Sequence, residues 1–195
     1  AIAKCHEPIN KGIRTKSIYF QLHDLYTRQN RLEELKEVLG QLVSYDPAEE
    51  YRASCLFGEA LLARVWQRWD APNKTQWLEE ARSEFEKALA LDPALAQAHI
   101  LLAELAVIRG DSETIQQQRQ LISKLSPWAK YELLVHLGSA YLKNFQYSDS
   151  KKVLETAASL APGRTGAWQA LSDWHYIQGD PQGVMQAWSE LVKIN

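Results

Sequence analysis

The sequence predicts an all-α protein built from stacked helix–turn–helix units, and three observations carry that expectation. Apolar residues recur at three- and four-residue steps through Leu32 to Val43, Glu79 to Leu91, Ala96 to Ile108 and Lys151 to Leu160. That is the period of an amphipathic helix and not of a strand. The breaks between such segments hold Asp46-Pro47, Asp92-Pro93, Ser126-Pro127 and Ala161-Pro162. Proline has no amide proton and pushes its predecessor out of the helical basin, so each pair is expected to end a helix. The prolines are also periodic: Pro93 to Pro127 spans 34 residues, Pro127 to Pro162 spans 35, and Pro47 to Pro93 spans 46, one period plus an insertion. A fixed period of this length marks repeated helical hairpins.

Composition agrees and removes several function classes. A chain of 195 residues suits one compact domain or one stack of small units. Its 46% hydrophobic and 24% charged residues supply a core and exclude disordered and fibrous classes. Lys and Arg number 22 against 24 Asp and Glu, a net charge of -2 with an isoelectric point near 6.2. A nucleic-acid binder normally shows a basic excess, so none is expected as partner. No apolar run approaches the roughly 20 residues of a membrane-spanning helix. Cys5 and Cys55 are too few for a disulfide framework and are expected as free thiols, which favours a reducing compartment such as the cytoplasm. The chain opens Ala1-Ile2-Ala3-Lys4 without an apolar signal core, so a signal is absent or already removed, and the second case allows the periplasm.

Taken in order after an N-terminal arm (1–15), the units start near Lys16, Tyr51, Ala96, Tyr131 and Thr165. The first (16–50) reads Tyr19-x2-Leu22-x3-Tyr26, then Leu35, Leu39 and Leu42, closing at Pro47. The second (51–95) has Phe57-Gly58-x2-Leu61, then Ala81-x3-Phe85-x2-Ala88, closing at Pro93. The third (96–130) has Leu102-Ala103-x2-Ala106, Gly110-Asp111, Ile115 and Ile122, closing at Pro127. The fourth (131–164) has Leu134-x2-Leu137-Gly138-x2-Tyr141, then Ser150-x3-Leu154-x2-Ala157, closing at Pro162. The fifth (165–195) has Trp168-x2-Leu171, Gly179-Asp180, then Val184-x3-Trp188-x2-Leu191.

This pattern resembles the tetratricopeptide repeat, Trp-x2-Leu-Gly-x2-Tyr followed by Ala-x3-Phe, Ala and Pro. The resemblance covers residues 16–195 and implies a right-handed α-solenoid of about five units in a single domain. Small residues at the eighth position (Gly58, Ala103, Gly138, Ser172) and small or aliphatic ones at the twentieth (Ala81, Ile115, Ser150, Val184) let paired helices approach closely. His23 at the first unit's eighth position and Arg119 at the third unit's large aromatic position depart from it. Neither helix of such a unit hides its apolar face alone, so neighbours must stack.

The insertion, Trp66 to Gln76, falls between the helices of the second unit, where Arg64 to Trp69 extends the first helix and Asp70-Ala71-Pro72-Asn73 forms a turn. Asn73 is expected to cap the second helix, with Gln76 reaching back to it. Trp66 and Trp69 suit packing over an elongated helix pair better than a ligand platform. Trp168 and Trp188 are expected at core positions, and His99 as a partly buried packing residue.

Nothing points to catalysis or a cofactor. His6, His23, His99, His136 and His175 include no i, i+4 pair, and no Cys-x2-Cys occurs, so no metal is expected. Phosphate-binding loops and the Gly-x-Ser-x-Gly elbow are absent. Carboxylates such as Glu33-Glu34 and Glu79-Glu80 fall at helix starts or polar faces.

The resemblance instead places function on the first helices, whose second, fifth, ninth, twelfth and thirteenth positions line the concave groove. The ninth positions are Asp24, Glu59, Glu104, Ser139 and Asp173, four of them acidic. Around them fall Phe20, Arg52, Cys55, Leu62, Gln97, Ile100, Val107, Glu132, Val135, Leu142, Lys143, Gln169 and Tyr176. The family's carboxylate clamp needs Lys at the fifth position and Asn at the ninth, and no unit has either. A mixed acidic and apolar wall predicts a protein or peptide partner with basic and apolar side chains, whose capture weakens when Glu104 and Asp173 are reversed to Lys. On the last helix Met185, Val192 and Ile194 are expected to face outward and to mediate self-association or docking. The chain is therefore read as an interaction adaptor, or else as the assembly segment of a larger secretion, envelope or transferase component.

Overall fold

The computed structural model describes residues 15–124 and 126–194; the N-terminal arm with Cys5 and His6 lies, apart from Thr15, outside the described residues. Among the described residues there are ten α-helices, one short 3-10 helix and no strand. In order these are α1 (Lys16–Arg28), α2 (Leu32–Tyr45), the 3-10 turn Pro47–Glu49, α3 (Glu50–Gln67), α4 (Lys74–Leu91) and α5 (Ala96–Arg109). There follow α6 (Ser112–Ser123), α7 (Pro127–Lys143), α8 (Tyr147–Leu160), α9 (Thr165–Ile177) and α10 (Pro181–Ile194). This is an all-α helical repeat solenoid, grouped in two compact units that divide between Ala98 and His99.

The hairpin turns repeat in backbone detail. Asn30, Gly110, Phe145 and Gly179 adopt φ of 55°, 71°, 60° and 69°, and each is the fifteenth residue of its unit. The next amide in each case (Arg31, Asp111, Gln146, Asp180) donates to the carbonyl five residues back at 2.8–2.9 Å. That closure, with a left-handed residue after the last helical turn, uses carbonyls the helix end leaves bare. Glycine takes this conformation freely, asparagine tolerates it, and Phe145 holds it against its own Cβ.

The second unit of the repeat lacks that turn because its insertion lengthens both helices. Helices α3 and α4 have 18 residues each, against 13 and 14 in α1 and α2, about one extra turn apiece. Trp66 and Trp69 stack on each other at 5.1 Å and 8°, with Lys74 Nζ 3.8 Å from the Trp69 ring centre. The ring faces thus serve packing and a cation–π contact. Asn73 does not cap α4: its side chain makes no cap hydrogen bond, because its backbone (φ -90°, ψ 9°) lacks the extended conformation that aims a capping side chain forward.

Ser126-Pro127 also differs from expectation. Instead of ending a helix it opens α7: Ser126 is extended, its Oγ accepts from the Ala129 amide at 3.0 Å, and Pro127 stands in the first turn, where its missing N–H costs nothing. The preceding helix α6 stops at Ser123.

Inside the hairpins the small positions work as the pattern implies. A Cβ at Gly58 would stand 2.5 Å from Phe85 Cε1, and one at Gly138 would overlap the Leu154 side chain. Ser150 Oγ donates to the Gly138 carbonyl at 2.8 Å, stitching α8 to α7. Arg119 is exposed, and the neighbouring Gln118 is buried in its stead, accepting from His99 Nδ1 at 2.7 Å. Trp188 is not in the core but 58% exposed: α10 turns Gly183 and Ala187, each one residue before the expected Val184 and Trp188, toward α9 together with the expected Leu191. Trp168 is half-buried, its Nε1 donating to the Pro162 carbonyl. Cys55 is a buried thiol, and burial first, then Glu59, pushes its pKa up to about 12.

His23 fits the small position by using its ring: Nε2–H donates to the Leu56 carbonyl at 3.2 Å. Burial holds its pKa below the ordinary 6.5 despite that bond. The unfolded chain then takes up a proton more readily than the folded one. Its contribution is intact above pH about 6.5 and is lost as pH falls below it. Urea midpoints are therefore expected to drop between pH 7 and 5.5, and the His23 part of that drop to vanish in His23→Gln.

A candidate binding cleft between α7 and α9

In the unit formed by His99–Asn195, the first helices α7 and α9 lie side by side. The Ala167 amide donates to Tyr131 Oη at 3.0 Å, and Trp174 Nε1 donates to the Tyr147 carbonyl at 2.9 Å. Tyr131, Leu134, Leu154, Ala157, Ala158, Ala167, Ala170 and Leu171 form one buried cluster beneath this contact.

Between the two helices opens a cleft of about 490 Å³, lined by Ser139, Leu142, Lys143, Ala170, Asp173, Tyr176 and Ile177. Five of these (Ser139, Leu142, Lys143, Asp173 and Tyr176) are groove positions named from the sequence. Leu142 and Ala170 are buried, while Tyr176 and Ile177 are 79% and 52% exposed. A ring and a branched aliphatic standing this free in water form an apolar lip. Asp173 is exposed, and no hydrogen bond or ion pair holds its carboxylate among the described residues. Ile177 and Ala170 were missed, although Ile177 is the thirteenth residue of its unit and follows from the same spacing.

The remaining expected groove residues divide. Gln169 is exposed; Gln97, Glu59 and Val135 are half-buried. Asp24 is exposed but paired with Arg28 on its own helix at 2.9 Å. Glu132 meets Arg164 at 3.5 Å, and that guanidinium also lies over Tyr131. Several residues expected to line the groove are buried instead. Ile100 and Val107 are 0% and 1% exposed, so they are core and offer no surface to a partner. Glu104 is 8% exposed, its carboxylate accepting from His136 Nδ1 at 3.3 Å, so reversing it to Lys tests packing before it tests binding. The apolar run Leu101 to Val107 puts nearly every face of α5 inside, which the groove rule does not foresee. Cys55 and Leu62 are buried for the same reason on α3.

At the far end of α9, His175 Nδ1–H donates to Asp180 at 2.8 Å. Asp180 also caps α10 through the Gly183 amide at 3.0 Å, and these bonds, the Gly183 amide first, hold its carboxyl below the usual range. No group of three or more His, Cys, Asp or Glu side chains with metal-binding geometry occurs among the described residues, and none of their helices is long and apolar enough to cross a membrane.

A family model described as tetratricopeptide repeat matches residues 73–95 and 131–164, the second being the fourth unit from end to end. The chain carries tetratricopeptide repeats in these two stretches. Solved structures of such proteins share its fold. A thermophilic tetratricopeptide repeat protein of Thermus thermophilus is 16% identical with a TM-score of 0.63, over 98% of this chain and 89% of that one. PilF of Pseudomonas aeruginosa is 18% identical with a TM-score of 0.55, over 92% and 76%. YrrB, described as a tetratricopeptide repeat protein with an unusual peptide-binding site, is 14% identical with a TM-score of 0.51, over 100% and 94%. At these identities the likeness is one of fold. No curated protein matches the sequence. A tetratricopeptide repeat fold suits a protein–protein interaction adaptor.

Proposed function

We propose that this tetratricopeptide repeat protein is a non-catalytic adaptor that holds a peptide segment of another protein against its first helices, with the α7–α9 cleft as the anchoring point. The observation that carries the reading is the pairing of an apolar lip, Tyr176 and Ile177, with the unpartnered Asp173 carboxylate. An apolar side chain of a peptide removes the lip from water, and a neighbouring Lys or Arg meets Asp173. Gln169 and Val135, on the same two helices, extend the surface along the peptide.

A displayed library of unstructured peptides selected on the 195-residue chain tests this. The expected enrichment is an aliphatic or aromatic residue beside Lys or Arg. For a selected peptide, Tyr176→Ala and Asp173→Lys are each expected to weaken binding about tenfold or more, with thermal melting unchanged. Selected peptides without a basic residue, or binding indifferent to both substitutions, would overturn the reading.

A further inference from the structure

Met185 and Val192 on α10 are each 73% exposed and Ile194 is half-buried, but nothing on that face selects one occupant over another. The α7–α9 cleft does, because two positions of the repeat are cut short there. At the sixth position the five units carry Gln21, Leu56, Leu101, His136 and Ala170, and at the ninth Asp24, Glu59, Glu104, Ser139 and Asp173. Ala170 is the smallest of the first set. Ser139 is the smallest of the second and its one uncharged member.

These two positions face each other across neighbouring first helices. Between α5 and α7, Glu104, the ninth residue of the third unit, accepts from Nδ1 of His136, the sixth residue of the fourth, at 3.3 Å. A carboxylate and an imidazole thus bridge that junction. Between α7 and α9 the same two places hold Ser139 and Ala170, whose side chains are too short to reach across. Both line the cleft of about 490 Å³. The cleft opens where the bridge stands one unit earlier.

The wall around that space determines what fits. Ala170 and Leu142 are buried and apolar, and Tyr176 adds a ring at the rim. Ser139 is half-buried, and no hydrogen bond holds its hydroxyl among the described residues. A hydroxyl so placed loses water when the cleft is filled and needs a partner from the occupant. An aliphatic side chain leaves it bare. A planar side chain with a polar edge, as in tyrosine, tryptophan or histidine, covers the apolar wall and meets the hydroxyl with its edge. The phenol of tyrosine both donates and accepts, so it suits the serine hydroxyl in either orientation.

We propose that the cleft selects an aromatic side chain with a hydrogen-bonding edge, tyrosine first, and that Ser139 and Ala170 set this choice. Ala170 leaves the room, and Ser139 meets the edge. The inference rests on the reading of the cleft as a peptide anchor and narrows its ligand to a peptide carrying such a residue beside the Lys or Arg that meets Asp173.

The library selected on the wild-type chain is expected to enrich tyrosine, tryptophan or histidine over leucine, isoleucine and valine next to the basic residue. For a selected tyrosine peptide, replacing that tyrosine by phenylalanine and replacing Ser139→Ala in the protein each weaken binding about tenfold. Together they weaken it no more than either alone, since both remove the same bond. Ser139→Glu combined with Ala170→His rebuilds the bridge of the preceding junction, and binding falls about tenfold or more with circular dichroism and melting unchanged. Where that double variant does not fold, the cycle between Ser139 and the peptide's tyrosine decides alone. An aliphatic anchor whose binding still depends on Tyr176 and Asp173, or additive losses in the cycle, overturns this inference and leaves the anchor reading standing. Full binding by the filled chain, a library without binders, or indifference to Tyr176→Ala and Asp173→Lys overturns both.

Discussion

Gly138→Ala is expected to lower stability by about 2 kcal/mol, whereas the same substitution at Gly40 raises it by about 0.5–1 kcal/mol. Both glycines lie inside helices, so both gain from the lower conformational freedom of alanine in the unfolded chain. They differ only in what the new methyl meets. At Gly40 nothing lies within 4 Å; at Gly138 the methyl overlaps two carbons of Leu154, which is itself 0% exposed and has nowhere to go. Ser150 Oγ, bonded to the Gly138 carbonyl at 2.8 Å, resists the helices sliding apart. Urea denaturation followed by circular dichroism gives the sign at each site. Leu154→Ala alone costs about 3 kcal/mol by leaving a cavity. Combined with Gly138→Ala it is expected to cost clearly less than the sum, because each change supplies the space the other needs. Additive losses would mean that α7 and α8 do not meet through these two residues.

That contact is legible in the sequence because it is a matter of size at a fixed spacing: glycine at the eighth residue, a large side chain at the twenty-fourth. The same arithmetic groups Leu142, Asp173 and Tyr176, which line one cleft from its two sides. It fails where a residue's environment depends on more than its place in the unit. Ile100 and Val107 hold groove positions yet are buried, because α5 is apolar on nearly all sides and such a helix is enclosed wherever it sits. Trp188 holds the aromatic core position yet is exposed, because Gly183 lets α10 lie close on His175 and Ala187 turns inward in its place. Phe145 shows a third kind of failure. Gly110 and Gly179 announce the left-handed turn residue by their type, while Phe145 takes φ 60° only because the hairpin around it dictates that geometry. Spacing carries backbone and bulk well; it carries the direction in which a helix is rolled poorly.

Two carboxylates at equivalent ninth positions are expected to behave in opposite ways. Glu104→Lys is expected to cost about 3 kcal/mol or more, while Asp173→Lys changes stability by less than about 0.5 kcal/mol and acts on binding alone. The Glu104 side chain is 11% exposed and accepts from His136 Nδ1; an ammonium there loses that bond and faces the imidazole with its own donors. It also sits on a helix stretch where Leu101, Leu105 and Val107 are 2%, 3% and 1% exposed. Desolvation depresses the pKa of a lysine so placed, so the folded variant holds its proton less firmly than the unfolded chain, whose lysines titrate near 10.4. The deficit is then largest near neutral pH and shrinks as pH rises toward 10. Urea midpoints of the variant and the wild type, compared at pH 7 and 9.5, read this directly. A pH-independent deficit would mean the new side chain reaches water, and Glu104 would then return to the groove surface alongside Asp173.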